Sequence, residues 1–260
     1  MKKTFPLERK DQILDLVTRK GRITVDELID MFKVSGATVR RDLEFLERQG
    51  LITRAHGGAM SKSRVSLEPD FFEEKEKFLG EKRRIGEEAS KLVEEDEVIF
   101  LEASTTVLEL ARNIGNKNNL TVVTNSLDIA QELDGKEGIN LIITGGSPRR
   151  KSRALIGPLT EATLSQMRID KAFMGVSALD PVYGITAPTL EEAQTRKKIV
   201  KASNKIIILS DHSKFGKQNF ASVDPVRSID ILITDRGVSE EMKVEIERLG
   251  VEVRVVWKSA

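Results

Sequence analysis

Residues 34–59 have the sequence VSGATVRRDLEFLERQGLITRAHGGA, and the helix and turn signals in this stretch indicate how the N-terminal part of the chain folds. Ser35 is a good helix N-cap, and Gly50 is a typical helix terminator. The apolar positions between them recur at helical spacing and share one helix face: Val39, Leu43 and Leu46. The pattern predicts a helix that begins after Ser35, followed at residues 51–59 by a short strand and a Gly-Gly turn.

Two further helical patterns precede this one. The first is ended by Gly21 and carries apolar residues at helical spacing, namely Ile13, Leu14 and Val17. In the second, Thr24 and Glu27 form a capping box ahead of another apolar face. Only Lys33 and Val34 separate the second helix from the cap of the third, so these two helices form a helix-turn-helix. The Gly-Gly hairpin after it is typical of the wing of a winged helix.

The third predicted helix presents small and basic side chains opposite its apolar stripe. Gly36 and Ala37 allow a close approach to base edges, and Arg40 and Arg41 supply forked donors for guanine edges or phosphates. The predicted contacts with double-stranded DNA are Ser35, Gly36, Ala37, Thr38, Arg40 and Arg41 on this helix and Arg54 and His56 on the wing. The alternative is a basic surface on a structural three-helix unit.

The composition excludes several classes of protein. Of the 260 residues, 39% are hydrophobic and 32% are charged, which is enough apolar material for a sizeable core and too much for a disordered chain. The absence of cysteine excludes disulfides and thiolate chemistry, and the two histidines, His56 and His212, are too far apart to indicate a zinc site. Without a membrane-length apolar run or a signal-peptide core, we expect a cytoplasmic location.

The charge is distributed unevenly along the chain. Residues 1–60 carry 12 Lys and Arg against 9 Asp and Glu, whereas the remaining 200 carry 30 against 32. A small basic head on a mildly acidic body indicates an anionic partner for the head.

The rest of the chain alternates strand and helix patterns. Residues 61–70 are polar and aperiodic and predict a linker, and residues 71–94 predict one charged helix. Seven apolar runs predict buried strands at 97–101, 120–124, 139–143, 171–176, 205–210, 229–234 and 251–256. Helical patterns lie at about 106–114, 126–134, 158–167, 189–202 and 239–249. This alternation predicts an α/β domain over 71–260, with an open, mostly parallel sheet and helices on both faces, behind a helix-turn-helix domain at 1–60.

Polar residues follow four of these strands, where ligands of parallel sheets bind. Hydroxyls and amides at helix N-termini, with a lysine nearby, suit a phosphate group and a polyol. The predicted effector contacts are Ser104, Thr105, Thr106, Thr124, Asn125, Gly145, Gly146 and Lys214. The alternative at each strand end is helix capping, since Thr106 with Glu109 has the spacing of a capping box and Asn125 or Ser126 can cap the next helix.

The run VSGATVRRDLEFLERQGLITRAHGGAM, with Arg9 and Ile13 upstream, resembles the DeoR family of bacterial transcriptional regulators. In that family a VS-x-x-T-[IV]-RRDL recognition helix is followed by an R-x-HGGA wing. The resemblance continues through TVVTNSLDIAQEL, LIITGGSPRRKSRALIGP and LSDHSKFG. It implies a repressor of sugar-metabolism operons that binds operator DNA as a homodimer or homotetramer. It also implies a C-terminal sensor domain that resembles ribose-phosphate isomerases and CoA-transferases and binds phosphorylated sugars.

Two positions depart from the family pattern. Where the family usually has Asp-x-Gly-Thr-Thr, this chain has Glu102-Ala103-Ser104-Thr105-Thr106, and where the family usually has Gly, this chain has Ala178. A family glycine in a left-handed conformation would require a remodelled phosphate loop around Ser104.

The alternative function is a sugar-phosphate isomerase-like enzyme with an appended DNA-binding domain. Isomerases of this fold carry an Asp-Gly-Ala-Asp-Glu cluster and a Lys-Gly-Gly-Gly stretch. The first position here has Val176-Ser177-Ala178-Leu179-Asp180, and the second motif is absent from the sequence. We therefore expect a regulator with no catalytic residues, no cofactor and no metal site.

Overall fold

The N-terminal unit combines three helices with a small antiparallel sheet. The computed structural model describes residues 6–20, 22–49, 51–55, 57–61, 71–115 and 117–257, and the chain divides into two compact units, Met1–Leu67 and Glu68–Ala260. The elements of the first unit are α1 (Pro6–Lys20), β1 (Arg22–Thr24), α2 (Val25–Phe32), α3 (Gly36–Arg48), β2 (Ile52–Ala55) and β3 (Gly58–Ser61). Their strands pair in the order β1-β3-β2.

The predicted caps define the helix-turn-helix. Thr24 caps α2 with a complete capping box, in which the Glu27 carboxylate accepts from the Thr24 amide at 2.8 Å. Ser35 caps α3 by accepting from the amide of Thr38 at 3.2 Å. Between them Lys33 is left-handed, with φ of 51°, and turns the chain from one helix to the next. The apolar faces of the three helices meet in one core with Ile23, Ile52 and Ala59, so the prediction of a helix-turn-helix is confirmed.

The wing hairpin is present and carries a third strand that the sequence did not indicate. Gly57 adopts a φ of +83°, and a Cβ on Gly58 would lie 2.2 Å from the carbonyl oxygen of Ile23 in β1. The two glycines therefore serve different needs, a left-handed turn and the close approach of β1. β3 includes Ser61, the first residue of the predicted linker, and residues 62–70 lie outside the described ranges.

A buried ion pair joins α1 to α3. Arg9 Nε lies 2.6 Å from Asp42 Oδ2, and both side chains are less than a tenth exposed. Removing one partner of such a pair leaves an uncompensated charge in a low-dielectric core, which costs about 3–5 kcal/mol.

We expect Asp42→Ala to lower the free energy of opening of α3 by about 3 kcal/mol, because Arg9 would remain buried without its counter-ion. Glu44→Ala is the matched control on the same helix, because among the described residues the ion pair of Glu44 is an exposed one, with Arg48 at 3.8 Å. Native-state hydrogen exchange of the α3 amides in the full chain measures the free energy of opening of α3 in both variants. Equal protection in the two variants would contradict the assigned role of the pair.

The second unit is built on a seven-stranded parallel sheet. The strands have the order β15-β14-β12-β9-β4-β5-β6, and every neighbouring pair is parallel. They are β4 (Val98–Leu101), β5 (Leu120–Thr124), β6 (Ile139–Ile143), β9 (Ile169–Gly175), β12 (Ser203–Leu209), β14 (Ile231–Asp235) and β15 (Glu252–Val256). All seven strands coincide with predicted ones, so the prediction of a parallel α/β sheet is confirmed.

Helices cover both faces of this sheet. One core packs α5 (Leu79–Ser90), α6 (Thr105–Asn113) and α7 (Leu127–Leu133) on one face, and the other packs α8 (Pro158–Ser165), α9 (Leu190–Ala202) and α10 (Glu240–Arg248) on the opposite face. Successive residues of a strand belong to different cores, as Ile99 and Phe100 do. Within the described ranges, every helix is too short or too polar to span a lipid bilayer.

Two small antiparallel sheets were not predicted, and one predicted helix is wrong. The extra strands are β7 (Ser147–Arg149) with β8 (Ala154–Ile156), and β10 (Ala178–Asp180), β11 (Gly184–Ala187) and β13 (Ala221–Asp224). The single helix expected at 71–94 is instead α4 (Phe71–Glu76) followed by α5, because Phe78 takes a left-handed conformation with φ of 52°. Phe78 is exposed rather than part of an apolar stripe.

Candidate functional site

The strand order reverses between β4 and β9, and in open parallel sheets a crevice lies outside the carboxyl ends of the strands at such a reversal. The chain runs from β4 outward through β5 and β6, and then crosses to β9 on the other side of β4. In open parallel sheets this reversal point is where ligands bind.

Ser104 begins helix α6 at this crevice. It is the N-cap and accepts from the amide of Thr106 at 3.2 Å. Its φ of −154° is ordinary extended backbone, so the serine in place of the family glycine requires no left-handed strain. The capping box predicted for Thr106 with Glu109 is wrong, because Glu109 instead pairs with Arg112.

The Thr105 hydroxyl is the better candidate for a ligand contact. The side chain is 8% exposed, and none of the described residues hydrogen-bonds its oxygen. The first-turn amides of a helix lack intrahelical partners and suit an anion. Thr106 is 4% exposed and lies further inside.

Thr124 and Asn125 were predicted to line a sugar, but their side chains serve the fold. The Thr124 hydroxyl donates to the carbonyl of Leu101 at 2.6 Å and accepts from the amide of Ser126 at 3.0 Å. The Asn125 side chain accepts from the amide of Ala103 at 3.0 Å and donates to a backbone carbonyl of β8 at 3.2 Å. Their polar atoms join neighbouring loops, and Ser126, not Asn125, caps α7.

Gly145 and Gly146 are half-buried and lie close to helix α8. A Cβ on Gly146 would lie 2.1 Å from the Thr160 hydroxyl, and one on Gly145 would lie 3.2 Å from Leu159. Thr160 also donates to the carbonyl of Gly145 at 2.6 Å. The close packing of α8 accounts for both glycines, and their contact with an effector stays a prediction.

A buried charge network that the sequence did not reveal lies behind the Ser104 loop. Glu102 accepts from Arg196 Nε at 2.6 Å and from the amide of Gly175 at 2.9 Å, which joins β4, β9 and α9. Burial raises the pKa of Glu102, and the Arg196 guanidinium counteracts that shift. Glu192, one helical turn from Arg196, pairs with Arg149 at 3.4 Å. In the sequence, Glu102 was notable only because the family usually has Asp at this position, and nothing there indicated its pairing with Arg196.

Lys214 follows β12 in a short 3₁₀ turn, and it is already paired. Its ammonium contacts the carboxylate of Glu74 in α4, and Lys82 Nζ lies 3.5 Å from the same carboxylate. The neighbouring Asp211 is fully buried and caps the turn by accepting from the amide of Ser213 at 3.0 Å.

The predicted DNA contacts on α3 are accessible to solvent to different degrees. Ala37, Arg40 and Arg41 are exposed on α3, and Gly36 and Thr38 are half-buried. Gly36 packs closely on α2, since a Cβ there would lie 3.3 Å from the Ile29 side chain.

The wing is attached to α3 by one carboxylate. Glu47 accepts from the amide of Arg54 at 3.0 Å, and the Arg54 guanidinium lies 3.9 Å from the other carboxylate oxygen. His56 lies outside the described residues.

Both units match models of one family. A DeoR-like helix-turn-helix domain matches residues 9–65, and a DeoR C-terminal sensor domain matches residues 77–236. The chain belongs to the DeoR family of transcriptional regulators. It is 36% identical over 249 residues to the HTH-type transcriptional regulator GlpR of Haloferax volcanii, covering 96% of this chain and 97% of that protein.

Other relatives have similar coverage. The putative aga operon transcriptional repressor of Escherichia coli O157:H7 is 31% identical, with 96% of this chain and 93% of that protein covered. The HTH-type transcriptional repressor GlcR of Bacillus subtilis is 34% identical, with 95% of each covered. Among solved structures, ribose 5-phosphate isomerase A of Methanocaldococcus jannaschii matches with a TM-score of 0.38 and 20% identity over 52% of this chain and 53% of that one.

The contact between β9 and the Ser104 loop yields a stability test. A Cβ on Gly175 would lie 2.2 Å from Ser104 Oγ. We expect Gly175→Ala to lower the free energy of unfolding by about 1–3 kcal/mol through overpacking. Adding Ser104→Gly should restore most of the loss, because replacing an N-cap serine by glycine costs only a few tenths of a kcal/mol.

Urea unfolding of the full chain measures these values, and Gly80→Ala is the control. Its Cβ would meet only the Arg84 guanidinium at 3.6 Å, so no loss is expected. If the double variant were as unstable as Gly175→Ala alone, the contact with Ser104 would not be the cause.

Proposed function

We propose that this DeoR-family regulator reads operator DNA with α3 and responds to a phosphorylated sugar or polyol bound at the carboxyl edge of its sensor sheet. The observation that supports the first part is the exposed face of α3, where the small side chain of Ala37 lies on the same helix as the exposed side chains of Arg40 and Arg41. Ser35 and Thr38 lie at the N-terminus of α3, where a backbone phosphate binds favourably.

The wing supports this surface. Because Glu47 holds the backbone amide of Arg54 against α3, the proposed contact of Arg54 with the sugar-phosphate backbone of DNA starts from a fixed position. His56 is the second proposed contact of the wing with the DNA backbone. The names of the relatives, which include two repressors, support the assignment as a repressor.

Arg40→Ala and Arg41→Ala test the DNA contacts. If an arginine reads a base, we expect its loss to cost about 1–3 kcal/mol at the cognate operator and to relax specificity there. If it meets only phosphate, the loss should be uniform across sequences and should reduce the salt dependence of binding.

Fluorescence anisotropy at several salt concentrations distinguishes the two results. Arg168→Ala removes an exposed arginine of the sensor domain and serves as a control for net charge. Wild-type operator affinity in the Arg40→Ala/Arg41→Ala double variant would overturn the proposed reading surface.

The effector part rests on the geometry of the α6 N-terminus. Thr105 presents its hydroxyl at the first turn, beside the cap Ser104, and Lys214 lies on the same carboxyl edge of the sheet. Hydroxyls, free amides and one ammonium are the donors that a phosphate monoester requires. Thr124 and Asn125 join the loops around this position through their hydrogen bonds. The other predicted effector contacts of this edge are proposed to surround the same ligand: Thr106, Gly145 and Gly146.

We expect Thr105→Val to raise the effector concentration at the midpoint of the operator-binding response about tenfold, because one hydrogen bond to a charged group is lost in an isosteric exchange. The measurement is operator affinity across titrations with a panel of sugar phosphates. Thr121→Val is the control, since Thr121 lies toward the start of β5 at the opposite edge. An unchanged midpoint in Thr105→Val would place the effector elsewhere.

We further propose that the chain acts as a homodimer or homotetramer. One winged helix buries little surface, and two linked heads gain affinity through effective concentration. Sedimentation of the full chain at micromolar concentration tests this, and a monomer in the presence of operator would refute it. The family assignment favours a regulator over an isomerase-like enzyme.

A further inference from the structure

Three lysines surround the carboxylate of Glu74 at the carboxyl edge of the sensor sheet. Lys214 and Lys82 contact Glu74 directly, and Lys82 also donates to its backbone carbonyl. Lys77 lies 4.0 Å from the second carboxylate oxygen. Burial opposes ionisation of Glu74, but Lys214 and Lys82 outweigh it and hold the pKa of this carboxyl below its usual range.

The positive charge around Glu74 exceeds the negative charge. The Lys82 side chain is 1% exposed, and burial lowers its pKa. Burial and the neighbouring Lys214 also lower the pKa of Lys217, which has no carboxylate within ion-pairing distance among the described residues. Asp211 is the other acid close to these lysines. Its buried Oδ2 has no hydrogen-bond partner among the residues that the structure describes.

This charge balance matches a phosphate group better than it matches a carboxylate. If Glu74 withdrew, Lys82, Lys214 and Lys217 would face Asp211 alone and leave two uncompensated positive charges. A phosphate monoester carries a charge of about −1.5 to −2 at neutral pH and has three strong acceptor oxygens. Glu74 supplies one negative charge and two oxygens in the same place.

Glu74 belongs to the segment that leads to the DNA-binding unit. α4 begins at Phe71, directly after residues 62–70, which join it to the wing strand β3 in the sequence. Phe71 is the one buried side chain of α4. The left-handed Phe78 separates α4 from α5, whose Ile85 and Ala89 are firmly buried. α5 therefore has its own anchorage in the core, and the contacts of Lys82 with Glu74 are those that a movement of α4 would break.

We propose that Glu74 is an internal competitor of the effector, which occupies the lysines until an incoming phosphate displaces it and releases α4. The inference rests on the proposed function, since it adds Lys82 and Lys217 to Lys214 as the ammonium groups that face the phosphate of that effector. An effector shifts an equilibrium only if it binds the two states differently. Exclusion of Glu74 by the phosphate supplies that difference.

The closing experiment uses inorganic phosphate as the probe and the full chain as the protein. Isothermal titration compares the wild type with Glu74→Gln and with Glu73→Gln, which removes an exposed acid from the same helix. We expect Glu74→Gln to bind phosphate at least about fivefold more tightly, the lower end of common coupling factors. Glu73→Gln should match the wild type, and adding Lys217→Ala to Glu74→Gln should remove the gain.

Hydrogen exchange on the wild-type chain provides a readout that requires no variant to fold. Saturating phosphate should accelerate exchange of the α4 amides and leave those of α5 unchanged. The inference is overturned if Glu74→Gln binds phosphate no more tightly than the wild type, or if α4 exchange does not respond.

The same proteins separate this failure from failure of the proposed function. If no sugar phosphate alters operator affinity in the wild type, the proposed effector control is wrong, even where Glu74→Gln tightens phosphate binding. If sugar phosphates act on the wild type but Glu74→Gln leaves phosphate affinity unchanged, effector control stands and the competition by Glu74 is refuted.

Discussion

The buried ion pair between Glu102 and Arg196 fixes the loops at the carboxyl edge of the sensor sheet. Glu102 directly follows β4, where the strand order reverses, and its carboxylate also accepts from the amide of Gly175 on β9. A buried carboxylate must satisfy its oxygens with fixed donors, and removal of either partner would leave an unpaired buried charge. The loop that carries Ser104 and Thr105 is therefore held in position by charges behind it.

The sequence predicted those helices and strands that are marked by a local capping signal or by a periodic apolar pattern. Parallel strands buried on both faces appear as continuous apolar runs, which is why all seven strands of the main sheet were predictable. Strands of three or four residues, such as β10 and β7, are too short to show a period. The break at Phe78 was not predictable either, because a left-handed phenylalanine has no sequence signal comparable to that of glycine.

The candidate site was predicted less completely because strand-end polar residues have two uses that look alike in a sequence. Thr124 and Asn125 follow a strand just as Ser104 and Thr105 do, yet the former pair bonds neighbouring loops and the latter pair begins a helix. The distinction lies in partners far along the chain. The Lys214–Glu74 pair, which spans 140 positions, is likewise a product of the tertiary fold.

The charged groups of the sensor domain place a common constraint on any anionic effector. Arg196 is paired with Glu102, Arg149 with Glu192, and Lys214 with Glu74. The binding free energy of an effector is therefore only the difference between the contacts that it makes with these cations and the ion pairs that it replaces. Glu102 and Glu192 are more than nine-tenths buried, whereas Glu74 is partly exposed and lies on a six-residue helix. Of the three acids, Glu74 can therefore leave its partners at the lowest free-energy cost. A phosphate that replaces one of these carboxylates would most easily replace that of Glu74, on the helix that follows the predicted linker in the sequence.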